Sequence, residues 1–390
     1  MDFRLTEEQR MIAETAFKIG DEFGLDYWRE LDAKKEFPKE LWKAVCDAGL
    51  AGVALPEEYG GAGSGMLEMA LIVENLAASG GGSTLGQLFM INPIFGGVTI
   101  SKYGTDKMKK ELLPRLISGE INFCMALTEA RAGSNSLELK TFAAEDGDGW
   151  RLNGEKIWIT AVDQAEKMLV IARTKKVEDV QKRTDGLSMF MIDVKREGLT
   201  YHPIEKVGTK TLSSCTVFFD DVRIEPEELV GTLHGGWREL LDTLNTERIV
   251  TTAGLVGAGD LALRLAVNYA NDRKVFGDRP VGSYQGIQFP LAQAKAEIEC
   301  ARLMNYKAAA QFDAGESFGS ESNAAKLIAA QAVADATERS MQAMGGMGYA
   351  PESPLERLWR DARLFRFAPG SEEMILNFIA IHDLGMPRSY

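Results

Sequence analysis

The sequence predicts an α+β protein of three consecutive domains: a helical domain over residues 1–123, a β domain with a barrel-like or orthogonal sheet over 124–230, and a helical domain built as a four-helix bundle over 231–390. Three observations carry this expectation. Apolar residues recur at helical spacing through the first third, give way near residue 124 to short apolar runs split by polar turns, and return to helical spacing after "VGTLHGGWREL". At 390 residues the chain has room for two or three domains of ~100 to 200 residues each.

In the first domain, Thr6 and Gln9 have the spacing of a capping box, and Ile12, Ala16, Ile19 and Phe23 follow on one helical face. "FPKELWKAVCDAGL" restarts a helix after Pro38 and stops it at Gly49. "PEEYGGAGSG" reads as a loop, because Pro and clustered Gly favour turns. "LGQLFMINPIFGG" supplies an apolar, proline-containing wall.

The second domain opens with "GDGWRLNGEKIWIT", which carries a turn, an Asn153-Gly154 hairpin signal and many β-formers. "KMLVIARTK", "GLSMFMIDV" and "TVFFDDVRI" continue as strands. In the third, alanine-rich stretches such as "LAQAKAEIECARLMNYKAAAQF" predict long helices whose small side chains allow close packing. "GLVGAGDLA" imitates a dinucleotide-binding GxGxxA motif at Gly257, Gly259 and Ala262, but no strand precedes it, so close helix packing is the better account. Near the end, Ser371 has the position of a helix N-cap, with Glu372 and Glu373 at the positive end of the dipole.

A net charge of −13 disfavours a nucleic-acid backbone or an anionic membrane as partner. Cys46, Cys124, Cys215 and Cys300 are widely spaced, which fits a reducing compartment, and the three histidines form no metal-binding pattern. No apolar run of ~18 residues and no signal-peptide pattern stands out, and a cytoplasmic location is expected. No GxSxG elbow or Cys-His pair supports a hydrolase.

Several short segments remain. "MALTEARAGSN" ends in a small-residue turn whose backbone N–H groups could meet a flat or anionic ligand. In "KIWIT", Trp158 and Thr160 share a strand face by the period of two, so an indole and a hydroxyl could meet an aromatic cofactor. "NDRKVFGDRP" pairs Arg273 with Phe276, suiting a pyrophosphate beside an apolar wall, and "QAMGGMGY" places Gly345 and Gly346 where a helix opens.

Taken in order, "ALTEARAGSN", "KIWIT", "RKVFG", "QGIQFPLA", "QAMGGMGY" and "RDARLFRFAPGSEEM" resemble the acyl-CoA dehydrogenase family over nearly the whole chain. The resemblance implies FAD as cofactor, an acyl-CoA substrate, a homotetramer, and an electron-transferring flavoprotein as partner. It implies that Met125, Leu127 and Thr128 line the flavin, that Ser134 and Trp158 contact the ring or its substituents, and that Thr160 reaches its N5 side. Arg273, Phe276, Gln342, Gly345 and Gly346 would hold the adenine-diphosphate part in a neighbouring subunit, and Ser371 and Glu373 would close over the cofactor. Ser134, Arg248 and Gly370 would also meet substrate.

Many members of that family carry the catalytic base as a glutamate in the last loop, where this chain has Pro369. Others place it on a C-terminal helix before an arginine, and "LNTERIV" fits that pattern with Glu247 as base and Arg248 beside it. Proline also removes a backbone N–H that would hold the thioester oxygen, so Gly370 N–H is expected to substitute through a shifted loop. Two alternatives stay open: an enoyl-CoA reductase using the same site, and a low-turnover flavin-binding assembly protein.

Overall fold

In the computed structural model, which describes residues 4–388, helices occupy both ends of the chain and strands the middle. The first helices are α1 (Glu7–Lys34), α2 (Lys39–Asp47), α3 (Met66–Leu76), α4 (Thr84–Phe89), α5 (Thr99–Tyr103) and α6 (Asp106–Ile117). The capping box forms as its spacing predicts: Gln9 N donates to Thr6 Oγ1 at 3.1 Å, and Thr6 N donates to Gln9 Oε1 at 3.0 Å. Gly49, with φ at 73°, turns the chain away after α2. Between α4 and α5 the backbone widens into a π-helical segment, Met90–Val98, that contains Pro93. A proline has no N–H for the helical ladder, and the wider turn absorbs the missing bond. Beside it, buried Asn92 accepts from Phe123 N at 2.8 Å and so ties the proline wall to the first strand.

The strands are β1 (Phe123–Ala126), β2 (Phe142–Asp146), β3 (Gly149–Thr160), β4 (Lys167–Arg173), β5 (Leu187–Asp193), β6 (Leu199–Pro203), β7 (Ser214–Ile224) and β8 (Leu229–Val230). They form one mixed sheet in the order β6-β7-β3-β2-β4-β5-β8, with β1 parallel to β4. Both faces are used. In β4, Met168, Val170 and Ala172 enter a core within the β domain, while Leu169 and Ile171 join the core shared with the helices. The same alternation through β1 and the residue after it sends Cys124 and Ala126 inward and turns Met125 and Leu127 toward the helices.

The expected Asn153-Gly154 hairpin does not form. The tight turn is Gly147-Asp148, between Asp146 and Gly149, and β3 runs on through Asn153-Gly154 with a register shift against β7. The reason is local space and pairing: Asn153 Oδ1 accepts from Asp221 N at 2.9 Å, and a Cβ on Gly154 would lie 2.6 Å from Thr141 Oγ1. Gly154 therefore marks a bulge with a close neighbour rather than a chain reversal.

The last part contains α7 (Gly236–Asp272), the short hairpin β9 (Lys274–Val275) and β10 (Arg279–Pro280), then α8 (Gln285–Asp313), α9 (Gly319–Met344), α10 (Gly346–Tyr349), α11 (Pro354–Ala362) and α12 (Glu372–His382). α7 and α8 run antiparallel, with Asn305 Nδ2 donating to Ile249 O and Arg302 paired with Asp260. α7 and α9 run parallel, since Val333 lies at Gly259 and Met341 joins the cluster that holds Leu261 and Leu265. Among the described residues α7 is the one helix long and apolar enough to cross a membrane, a length of apolar chain not anticipated from the sequence, but 83% of that stretch is buried inside the protein.

The GxGxxA imitation lies in the middle of α7, where a Cβ on Gly257 would come 2.2 Å from Glu74 O and one on Gly254 2.8 Å from the Gly86 backbone. These glycines let helices touch. Gly257→Ala is therefore expected to lower stability by about 1–3 kcal/mol through backbone displacement. A urea midpoint equal to that of the parent protein would refute this contact.

Candidate active site

On the β side, the segment after β1 is held by a buried ion pair that the sequence did not reveal. Lys156 Nζ donates to Leu127 O at 2.8 Å and to Glu129 Oε1 at 2.9 Å, and Glu129 in turn accepts from Lys140 N at 2.7 Å and Thr141 N at 2.9 Å. Lys156 is fully buried. Burial pulls its pKa down to about 8 against the pull of Glu129, and Glu129 stays below the usual carboxylate range because Lys156 and the N–H donors outweigh its own desolvation. The pair stands as an ion pair at neutral pH. It anchors Met125, Leu127 and Thr128, all half-buried, at one edge of the sheet.

Ile157 N donates to Thr128 O at 2.9 Å, which brings Trp158 next to that edge. Trp158 has φ 62° and is 53% exposed, flanked by buried Ile159. A bulge at Lys156–Ile159, not a plain alternation, presents Trp158, and half-buried Thr160 follows one residue beyond Ile159. Ser134 lies exposed on the loop beyond the Glu129–Ala132 bridge. An uncovered indole beside half-exposed Met125 and Leu127 and two hydroxyls is a surface suited to a flat aromatic ring system.

On the helical side, Glu247 of α7 is only 2% exposed. Burial lifts its pKa from 4.5 to about 7, with Arg248 and Lys326 working against that rise. Arg248 Nη1 donates to Leu244 O at 2.7 Å and to Asn245 Oδ1 at 2.9 Å, while its buried Nε has no partner. A Cβ on Gly370 would lie 3.7 Å from Arg248 Nη2, so the last loop passes over this arginine. Gly370 has φ 66°, and the Ala368–Pro369 peptide is cis.

Ser371 is the N-cap of α12, its Oγ accepting from Met374 N at 3.3 Å. Glu372 is buried and paired with Arg366 at 2.6 Å, whereas Glu373 is exposed. The structure thus brings Glu247, Arg248, Gly370 and the start of α12 together, and adds Lys326, which sequence reasoning missed. Its only signal was a lysine on the alanine-rich face of α9.

The remaining expected residues lie elsewhere on the same chain. Arg273 ends α7, 26 residues past Glu247 and hence about 39 Å along the helix axis. Phe276, at the tip of the β9–β10 hairpin, is 95% exposed. Gln342, Gly345 and Gly346 are exposed where α9 ends, and because α9 parallels α7, they share the end of the bundle that holds Arg273. Gly345, with φ 58°, separates α9 from α10, as the opening helix predicts. One chain therefore holds two separated sets of these residues.

Comparison with known proteins agrees with this architecture. The family models for the acyl-CoA dehydrogenase N-terminal, middle and C-terminal domains match residues 6–120, 124–222 and 234–382. The acyl-CoA dehydrogenase FadE12 of Mycobacterium tuberculosis is 38% identical over 387 residues, covering 99% of this chain and 98% of its own. A 3-(aryl)acrylate reductase of Clostridium sporogenes is 32% identical over 371 residues, covering 95% and 96%. The structure of a glutaryl-coenzyme A dehydrogenase in complex with glutaryl-CoA superposes with a TM-score of 0.94 at 31% identity, covering 100% of this chain and 98% of that one.

The exposed indole surface and the glycine-opened helix end fit the FAD that the family uses. With all three domain models matched in order, this chain belongs to the acyl-CoA dehydrogenase family, FAD-dependent oxidoreductases that act on CH–CH bonds.

Proposed function

We propose that the protein dehydrogenates an acyl-CoA thioester between its α and β carbons, with Glu247 as the base, and hands the electrons to an electron-transferring flavoprotein. The observation that carries this reading is the buried Glu247 carboxyl with its pKa raised to about 7. A base poised near working pH is half ionised and still strong enough to take a carbon-bound proton. Bound FAD supplies the acceptor for the β-hydrogen as hydride.

In this reading the chain's own residues have separate tasks. Met125, Leu127, Thr128, Ser134, Trp158 and Thr160 hold the ring system, and Ser371 and Glu373 close over it. Arg248, Gly370 and Ser134 meet the substrate. Because Pro369 offers no N–H, Gly370 N–H takes the thioester oxygen and stabilises the charge that builds on it. Arg273, Phe276, Gln342, Gly345 and Gly346, about 39 Å from Glu247 along the bundle, hold the adenine-diphosphate part of a cofactor shared with a neighbouring copy in a homotetramer. The enzyme works in the cytoplasm.

Phe276→Ala separates cofactor holding from folding. A side chain 95% exposed contributes almost nothing to protomer stability, so the melting of apoprotein stays unchanged while FAD content after gel filtration falls several-fold. Full flavin content would remove Phe276 from the cofactor site.

A second reading, reduction of an enoyl-CoA through the same groups, is favoured by the similarity to a 3-(aryl)acrylate reductase. The test of both is anaerobic. Bleaching of bound flavin by a panel of acyl-CoA thioesters supports dehydrogenation, and reoxidation of reduced protein by enoyl-CoA without bleaching supports reduction. Silence in both directions supports the low-turnover assembly protein instead.

A further inference from the structure

Lys326, on α9, is a buried cation with no part in the chemistry set out above. It is 0% exposed, and its Nζ donates to Phe365 O and Gly370 O, both at 2.7 Å. These two carbonyls bracket the segment Arg366–Pro369 and lie on either side of the proline. One ammonium therefore staples both ends of the last loop to the bundle. α9 packs along α7 with Gly319 at Asn245 and Val333 at Gly259, which sets Lys326 on the stretch of α9 facing the turns after Glu247, and Lys326 opposes the burial that raises the Glu247 carboxyl.

A charged lysine is rarely buried without a strong reason, because desolvation costs several kcal/mol. Here burial pulls the Lys326 pKa down to about 8, and Arg248 pulls the same way, while Glu247, Glu372 and Glu373 oppose them. The charged groups facing it are thus Arg248 and Glu247 from α7 and Glu372 and Glu373 from the start of α12. Glu372 is taken up by Arg366, at 2.6 Å, which leaves Glu247 as the buried carboxylate in this group without an arginine fork.

We infer that Lys326 is a positioning residue for the reaction: it pins the Pro369–Gly370 loop at the height of the reacting thioester and sets a cation beside the base Glu247. The inference rests on the reading of Glu247 as base. With Pro369 lacking an N–H, Gly370 is left to serve the thioester oxygen, and the lysine holds the carbonyl of that same residue. A loop displaced by about 1 Å would cost on the order of a hundredfold in rate.

The test uses holoenzyme of Lys326→Met and Lys326→Arg beside Glu247→Gln. Lys326→Met is expected to retain FAD, to lose kcat more than it raises KM, and to shift the acid limb of kcat/KM upward by about one pH unit or more, because a cation near the base is gone. Lys326→Arg keeps the charge and is expected to leave the acid limb in place while lowering kcat about tenfold through altered loop geometry. A residue that served folding alone would lower the melting temperature and leave that limb where it was. An unmoved acid limb in folded Lys326→Met, or unchanged hydrogen exchange at 366–371, overturns the inference. Should Lys326→Met fail to fold, a Lys326→Arg enzyme with parental kcat overturns it equally. Full flavin bleaching by Glu247→Gln would instead sink the reading of the base, which keeps the two failures apart.

Discussion

Glu247→Gln is expected to keep its FAD and its fold and to lose flavin bleaching by acyl-CoA, with the bleaching rate down by about 10²–10⁴-fold. An amide cannot accept the α-proton at Glu247, whose position is buried beside Arg248 and Lys326. The parent enzyme should gain activity as pH rises through about 7, because the base works only when ionised and burial has raised its pKa to that value. The stability effect has the opposite sign. A carboxyl with its folded pKa above 4.5 contributes stability that is fully present below the unfolded pKa and is lost as pH rises through the folded one. Above pH 7 the parent thus bears a buried charge that Glu247→Gln does not. The variant is expected to be more stable there by at most about 3 kcal/mol, and no different near pH 4. Paired stopped-flow bleaching and urea titrations at pH 5 and 8 check both signs. An active variant, or one less stable at pH 8, contradicts the assignment.

Lys156→Met is expected to have the largest effect on folding. It strips the partner from a buried Glu129 and the donor from Leu127 O, and breaking one side of a buried pair costs about 3–5 kcal/mol. The loss falls on the segment that carries Met125, Leu127 and Thr128, so purified protein should contain little FAD. Adding Glu129→Gln should return part of the stability, since a neutral amide removes the lone buried charge and its one oxygen can still accept from either Lys140 N or Thr141 N, which now donate to different carboxylate oxygens. Because Glu129 is held below its ordinary pKa, its contribution is present above the unfolded carboxylate range and is lost as pH falls through the folded value. FAD content and melting of Lys156→Met beside the parent, together with FAD release from the parent on acidification, are the measurements. If the single variant melts with the parent, the pair does not anchor the loop.

Local signals in the sequence were reliable where the chemistry was local. Thr6 and Gln9 cap a helix through bonds three residues apart, and Ser371 caps another through Met374 N. The change from helical to strand periodicity gave the order of the three domains. Gly257 and Gly259 were legible as helix contacts because a dinucleotide motif needs a preceding strand and none was present. The Asn153-Gly154 signal misled because a dipeptide cannot report a bulge, which depends on Thr141, just before β2, and Asp221 of β7.

The candidate site divides in the same way. Glu247, Trp158 and the segment around Gly370 were visible as short motifs, whereas Lys156, Glu129 and Lys326 were not. A lysine in a chain of residues carries no mark of whether it will be solvated. Only packing removes the water, and only then do Leu127 O, Phe365 O and Gly370 O become its obligatory partners.

What the sequence determined by itself was the set of elements, their order and a candidate for the group that takes a proton. What the tertiary structure decided was the state of that group. Helix packing buries Glu247 next to two cations and raises its pKa to about 7, and the sheet bulge at Trp158 decides which side chain of that strand stays uncovered. Periodicity follows from bonds within one segment, but desolvation and charge proximity are sums over segments far apart in the chain, and they exist only once the chain has folded.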